Sequence, residues 1–370
     1  MKNLFTKIAL LAVSVMLMSW GSTGHHKINN DASLSFNQQM SQFDTWTNTL
    51  AEHASDADYR KKSDPSESPK HFIDIDNYYM FQVTGRIPQT WDSIIAYGPG
   101  FVSDNGILPW ATVITADSLR ACFQRGDWDK AVLVAADLGH YVGDGHMPLH
   151  ITANFDGQNT GNDGIHSRYE STMINNHIDE IIYQGDTLIH VIPDINQYVF
   201  DYIYHNYSYV DSVLAADNYA QNLSGGSTNS SVYNQALWDK TKGFTIQLFA
   251  HASHSLAELI YTAWVQAGSP TIPSASIFDQ DVSTAIFLNQ NIPNPFLNLT
   301  QIKYTLLKNS NVLLQVKDAN GKLVETLIDK HMAAGSHSQE WKPLNLSAGV
   351  YYLVLKTEKS SAVKKMVLIK

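Results

Sequence analysis

From residue 20 to about residue 268, apolar side chains recur at helical spacing, whereas from about residue 290 they alternate as in strands. The helical pattern is clearest over Asp129–Tyr141, Gly164–Ile182, Gln197–Ala215 and Val232–Ala267, and strand-like alternation is scarce among them. Gly268, Pro270 and Pro273, set among serines, mark a linker over residues 269–287. Beyond it, the runs Val312–Val316 and Val350–Leu355 read as strands, and Asn320-Gly321 between such runs is a hairpin signal. The pattern predicts a mainly α-helical domain over residues 20–268, followed over residues 288–370 by a small C-terminal β-sandwich.

Charge sharpens that division. Residues 20–290 hold 12 Lys+Arg against 30 Asp+Glu, a balance of −18, whereas residues 291–370 hold 11 against 5, a balance of +6. The break in sign is what two separate modules would show. It also excludes a broad basic groove for duplex DNA in the helical part. Residues 1–19 read as a signal peptide: Lys2 and Lys7 form a positive end, Ile8–Met18 is an apolar run too short to span a bilayer, and Ser19 suits cleavage. No later stretch is long and apolar enough for a membrane helix. Cys122 is the only cysteine, so no intramolecular disulfide can form, and the fold must rest on its core and on metal.

The metal comes from one stretch. His140, Asp144, His150, His166 and Glu170 fall within 31 residues. Two pairs, His140/Asp144 and His166/Glu170, are spaced i, i+4, which on a helix sets both side chains on one face. Imidazole and carboxylate are the usual nitrogen and oxygen ligands of zinc. Pro148 ends the first helix so that His150 can turn back. His146, in the same stretch, has no partner at ligand spacing and reads as structural or as a support behind the ligands. Upstream, His71 lies in the run Lys70-His71-Phe72-Ile73-Asp74, and Asp56 precedes it by 15 residues.

With those residues in place, the chain resembles the superfamily of single-strand-specific zinc nucleases (the S-one/P-one type) and bacterial zinc-dependent phospholipases C. The resemblance covers about residues 20–265. It rests on Trp20 to His25, Asp56, His71-Phe72-Ile73-Asp74, His140-Tyr141-x-Gly143-Asp144-x-x-x-Pro148-x-His150 and His166-Ser167-x-Tyr169-Glu170. It implies a trinuclear zinc phosphodiesterase: a mainly α-helical catalytic domain holding three Zn²⁺. One ion would take the free amine and carbonyl of Trp20 together with His25, with His26 a weaker rival. A second would take Asp56, His71 and His140, with Asp144 bridging the two. The third would take His150, His166 and Glu170. An α-amine has a reference pKa of about 7.7–8.0, so zinc can displace its proton near neutral pH. The implied reaction is in-line attack on phosphorus by a metal-held hydroxide, with Arg60 pairing with the developing charge. In the nuclease pattern the arginine follows the aspartate by three residues, whereas Arg60 follows Asp56 by four, so Asp58 is an alternative to Asp56.

The two branches of the superfamily divide the remaining signals. Trp20-Gly21 with His25, and Phe72 and Asp74 placed to stack on and bond a base, look like the nuclease branch. Glu170, where that branch has aspartate, and Ala153-Asn154-Phe155 look like the phospholipase branch. The leading expectation is a nuclease acting on single-stranded DNA or RNA, the alternative a phospholipase C cleaving phospholipid head groups, and a third reading a non-catalytic zinc-stabilised binding module. At the other end, Asn291-Ile292-Pro293-Asn294-Pro295-Phe296, Gly349-Val350-Tyr351-Tyr352 and the basic Lys364–Lys370 resemble the sorting domains of type IX secretion. That resemblance implies the secretion machinery as a partner, passage through the periplasm, and a secreted or cell-surface enzyme.

Overall fold

The computed structural model of the chain describes residues 20–183, 186, 188–272, 286–289, 291, 293–306, 308–319, 321–343, 346–358 and 360–369. The expected signal peptide, most of the expected linker, Asn320 and Ile292 lie outside them. The chain divides into two compact units, Met1–Ile272 and Pro273–Lys370.

The first unit is helical. Its framework is α1 (Gly21–Asp31), the single turn α2 (Asp56–Arg60), α3 (Leu108–Arg125), α4 (Trp128–Gly145), α5 (Ile195–Tyr207), α6 (Val210–Leu223) and α7 (Ser231–Gln266). Local chemistry sets several ends. The Ser230 hydroxyl accepts from the Tyr233 amide to start α7. Gly126, with φ +69°, closes α3 in the left-handed conformation. The periodicity over Gln197–Ala215 predicts one helix, but the chain breaks it at Ser208. There the Ser208 and Tyr209 amides turn back to His205 and Asn206, and the Asn206 side chain donates to Gly145 at 2.9 Å. Tertiary anchoring overrides periodicity at that point.

α4 and α7 form the centre of the core, with Leu138, Val142, Phe249, Leu256 and Ile260 fully or almost fully buried. Two glycines of α4 let α1 approach. A Cβ on Gly139 would lie 2.1 Å from Asn29 Oδ1, and one on Gly143 would lie 2.9 Å from His25 Nδ1. Asn29 uses that closeness to donate to Ala136 at 3.1 Å and Leu50 at 2.9 Å. Among the described residues no helix is long and apolar enough to cross a membrane.

The second unit is the expected β-sandwich. One antiparallel sheet has the order β1-β2-β5 and the other β4-β3-β6-β7. The strands are β1 (Ile286–Leu288), β2 (Thr300–Leu306), β3 (Ser310–Asp318), β4 (Leu323–Met332), β5 (Gly335–Trp341), β6 (Gly349–Lys356) and β7 (Ser361–Leu368). Alternate residues of both sheets, such as Ile302 and Tyr304 from one and Leu314, Val316 and Leu353 from the other, fill one core.

Candidate metal centre

The ligand-bearing side chains come from five places in the helical unit, and nearly all are buried. α1 supplies His25, α2 supplies Asp58, the turn after it supplies His71, α4 supplies His140 and Asp144, and the chain following α4 supplies His150, His166 and Glu170. They fall into three groups, each with ligand atoms within 4.8 Å of one another: His25, His140 and Asp144; Asp58, His71 and His140; His150, His166 and Glu170.

Distances within the groups are short. His71 Nδ1 lies 3.0 Å from Asp144 Oδ2 and 2.9 Å from His140 Nε2. Asp58 Oδ1 is 3.6 Å from both of those imidazole nitrogens. His25 Nε2 lies 3.5 Å from Asp144 Oδ1, and its ring stacks on His140 at 3.8 Å. In the third group, His166 Nε2 and His150 Nε2 sit 3.1 and 3.4 Å from Glu170 Oε2. The second carboxylate–imidazole spacing survives although residues 168–173 wind as a π-turn.

Three imidazoles are oriented from behind by main-chain carbonyls. His140 Nδ1 donates to Ala54 at 2.7 Å, His150 Nδ1 to His71 at 2.6 Å, and His166 Nδ1 to Phe155 at 3.1 Å. Each leaves its Nε2 facing into a group, the tautomer a metal requires. The segment carrying His71 is fixed by Ile73 donating to His150 and Asp74 donating to Asn105, both at 2.8 Å.

The fit to metal rests on what lacks a partner. Both nitrogens of His25, Asp58 Oδ2 and Asp144 Oδ1 are buried without a hydrogen bond, whereas Lys61 Nζ meets Asp58 Oδ1 at 2.6 Å and His71 Nδ1 meets Asp144 Oδ2 at 3.0 Å. Orphaned buried ligand atoms of this kind cost free energy unless a cation satisfies them. Charge tells the same story. Burial opposes charge on His140, but Asp144 and Asp58 outweigh it and raise its pKa to about 9. Burial likewise opposes ionisation of Asp144, yet His140, His150 and His71 hold it down at about 2. Burial and the neighbouring His140 push His25 down to about 3, keeping it neutral. A cation that displaces the His140 proton leaves a donor set of neutral imidazole and ionised carboxylate, which suits zinc.

Asp56 is a correction. It opens α2 pointing outward, its side chain 43% exposed and bonded to His53 Nδ1 at 2.6 Å. Asp58, two residues on, faces the opposite side of the turn and is 5% exposed, so the alternative aspartate occupies the group. His26 is exposed while His25 is buried. Arg60 is engaged already, donating to Asp137 at 3.0 Å and Glu67 at 3.3 Å.

Trp20 is fully buried against Phe249 and Tyr169, and its indole donates to Gly143 at 2.7 Å. Its backbone nitrogen reaches Glu170 Oε2 at 3.1 Å, while its carbonyl accepts from Gly24. The nitrogen therefore meets a carboxylate of the third group, whereas His25 belongs to the first. Phe72 and Asp74 are both half-buried. Burial and the neighbouring Asp76 push the Asp74 carboxyl up to about 7 against the opposing effect of His150. His146 is buried, donates to Val142 at 2.8 Å and stacks on Tyr202. Glu67 escaped the sequence reading, although its i, i+4 spacing to His71 was there to find.

A family model of the secretion system C-terminal sorting domain matches residues 291–370. The β-domain is a type IX secretion sorting domain. The protein is accordingly secreted or displayed at the cell surface, and its sorting domain engages that machinery. No curated protein sequence matches the chain. Among solved structures it is similar to the alpha-toxin from Clostridium absonum, at 11% identity over 94% of this chain and 97% of that one, with a TM-score of 0.44. It is also similar to the alpha-toxin of an avian strain of Clostridium perfringens, at 13% identity over 95% of this chain and 93% of that one, with a TM-score of 0.43.

Proposed function

We propose that the helical domain is a zinc-dependent hydrolase of phosphate diesters, with phospholipid as the substrate class its surroundings favour. The observation that carries this is the set of three buried groups, two sharing His140 and the third reached by Asp144 at 3.6 Å from His150, with both nitrogens of His25 left without a hydrogen bond. In this reading Asp58, His71 and His140 hold one ion, His25 a second beside Asp144, and His150, His166 and Glu170 a third, with Trp20 joining His25 only if signal-peptide removal frees its amine from Glu170. Zinc held there would supply Lewis acidity and bring the pKa of a water molecule from about 15.7 to about 7.

The chain's own groups do the rest. Asp58 and Asp144 are ionised near neutral pH and balance the positive charge of the ions. The carbonyls of Ala54, His71 and Phe155 fix the imidazoles so that no reorganisation is needed during the reaction. Three protein ligands in the last group leave room for water or substrate, as open zinc sites do.

Two features favour a lipid. The balance of −18 over residues 20–290 disfavours a polyanionic strand. Tyr79, Met80, Val83, Trp91 and Phe101, all exposed, follow closely on the His71–Asp74 segment and suit an interface with lipid. With Glu170 as the last carboxylate, these reverse the order of preference drawn from the motifs. Single-stranded nucleic acid is the second reading, favoured by Phe72 and Asp74, each half-buried near the groups. The test compares phosphatidylcholine vesicles, single-stranded DNA, RNA and 3′-nucleotides on one zinc-loaded sample, with and without chelator. Head-group release abolished by chelator and restored by zinc is expected. Cleavage of nucleic acid alone would install the second reading, and no cleavage of any of them would overturn the hydrolase.

A further inference from the structure

The histidines of the metal centre are not all held in the same way. His140, His150 and His166 each have a main-chain carbonyl behind the ring, and each turns Nε2 inward. His71 is reversed: Nδ1 faces Asp144, His140 and Asp58, and behind the ring Nε2 lies 3.6 Å from a carboxylate, Glu67 Oε1. That nitrogen is buried with no hydrogen bond closer than this carboxylate contact.

Glu67 is an unusual residue to bury. It is 1% exposed and precedes His71 by four residues. A carboxylate taken out of water costs several kcal/mol unless donors compensate it. Here they do. The Tyr141 hydroxyl and Arg60 Nη2 donate to Oε1, the arginine at 3.3 Å, and Lys70 Nζ donates to Oε2 at 2.8 Å. Arg60 is in turn fixed by Asp137 at 3.0 Å, and Asp137, His140 and Tyr141 all stand on α4. The carboxylate behind His71 is thereby tied to the helix that supplies His140 and Asp144.

We propose that Glu67 is a positioning residue that holds the proton of His71 on Nε2 and leaves the Nδ1 lone pair for zinc, with Arg60 and Tyr141 serving to hold Glu67. This rests on the three-zinc reading above. It gives Arg60 a place in the support of the centre, in contrast to the phosphate-pairing role expected from the sequence. A carboxylate behind a ligating imidazole fixes the ring and raises its basicity, and losing such a partner typically weakens metal binding about 10–100-fold.

The test uses the full chain with Glu67→Ala, Glu67→Gln and Tyr141→Phe, read by zinc affinity in competition with a chelator and by imidazole nitrogen NMR of histidine-labelled protein. In the parent, three zinc ions bind and one histidine, His71, is metallated at Nδ1 and protonated at Nε2. Glu67→Ala is expected to weaken one ion of the three by about 10–100-fold and to broaden or shift that Nε2–H signal, with the other two ions unchanged. Glu67→Gln, whose amide oxygen still accepts, should retain most of the affinity, and Tyr141→Phe should give a smaller loss at the same ion. A merely structural role would lower thermal stability and leave the zinc affinities and the tautomer alone. If the parent binds three ions and all folded variants match it in affinity and tautomer, the assignment is overturned while the zinc reading stands. A parent that binds no zinc overturns both. Should Glu67→Ala fail to fold, unchanged affinity and tautomer in Tyr141→Phe is the overturning result.

Discussion

Asp56 and Asp58 stand two positions apart and end on opposite sides of one turn of helix, one bonded to His53 at the surface and the other among the metal groups. Spacing to Arg60 could not decide between them, because both are aspartates in the same short stretch and only the phase of α2 separates them. Asp58→Asn should therefore cost at least about 100-fold in zinc affinity at one ion, and diester hydrolysis with it. Asp56→Asn should stay within about 0.5 kcal/mol in stability and keep its metal, both checked by metal content and denaturation. The opposite pattern would restore the sequence expectation. The same residues give the metal-free protein a signed pH dependence. His140 has a pKa of about 9 in the fold against 6.5 unfolded, so its contribution is fully present below about pH 6.5 and is lost as pH rises through 9. Asp144, at about 2 against 3.8, contributes above pH 3.8 and is lost as pH falls through 2. The depressed His25 costs stability only as pH falls below about 6.5, so denaturant midpoints of chelated protein should be higher at pH 6.5 than at pH 9. Equal midpoints would contradict the charge pairing. With zinc present the trend should reverse over this range, because the ions compete with those protons.

At the scale of elements, two features deliver the ligands. The glycines of α4 admit α1, so Gly143→Ala would drive a methyl to within 2.9 Å of His25 Nδ1. It should displace His25 and lose one zinc ion of three while leaving the helix content by circular dichroism unchanged. Retention of three ions would show that α1 can shift without harm. The stretch that carries His166 is held by Arg168, which donates to Asp217 at 3.0 Å, to the Tyr233 hydroxyl at 2.8 Å and to the Asp163 carbonyl at 2.7 Å. Asp217 is wholly buried and keeps donors from Asn162, Gln221 and Tyr233, so Arg168→Ala removes one charged hydrogen bond and should cost about 1.5–3 kcal/mol by chemical denaturation. A loss below 1 kcal/mol would mean the pair is dispensable. The i, i+4 pairs and Gly143 were visible in the sequence because helical periodicity is local. Glu67 and the support of Arg168 by Asp217 were not, since they depend on which turns pack together. The single helix read over Gln197–Ala215 failed for the same reason, the break being set by Asn206 reaching Gly145.

For the whole molecule, the change of charge and of periodicity near residue 290 announced two modules, and each has its own hydrophobic core. Deleting residues 288–370 should leave hydrolysis intact and strand the enzyme in the periplasm, as followed by fractionation and activity. Normal secretion of the truncated protein would sink that division of labour. The sequence put nuclease ahead of phospholipase C on single residues, because Glu170 and Asp74 point to different branches. The exposure of Tyr79, Met80, Val83, Trp91 and Phe101 is a property of the folded surface, and the proposed lipid reading draws on it. All of this depends on the centre itself. Anomalous diffraction at the zinc edge from crystals of the zinc-loaded protein should show three peaks: one against His25 and Asp144, one among Asp58, His71 and His140, and one among His150, His166 and Glu170. Fewer than three peaks, or a peak beside Asp56, would contradict the account.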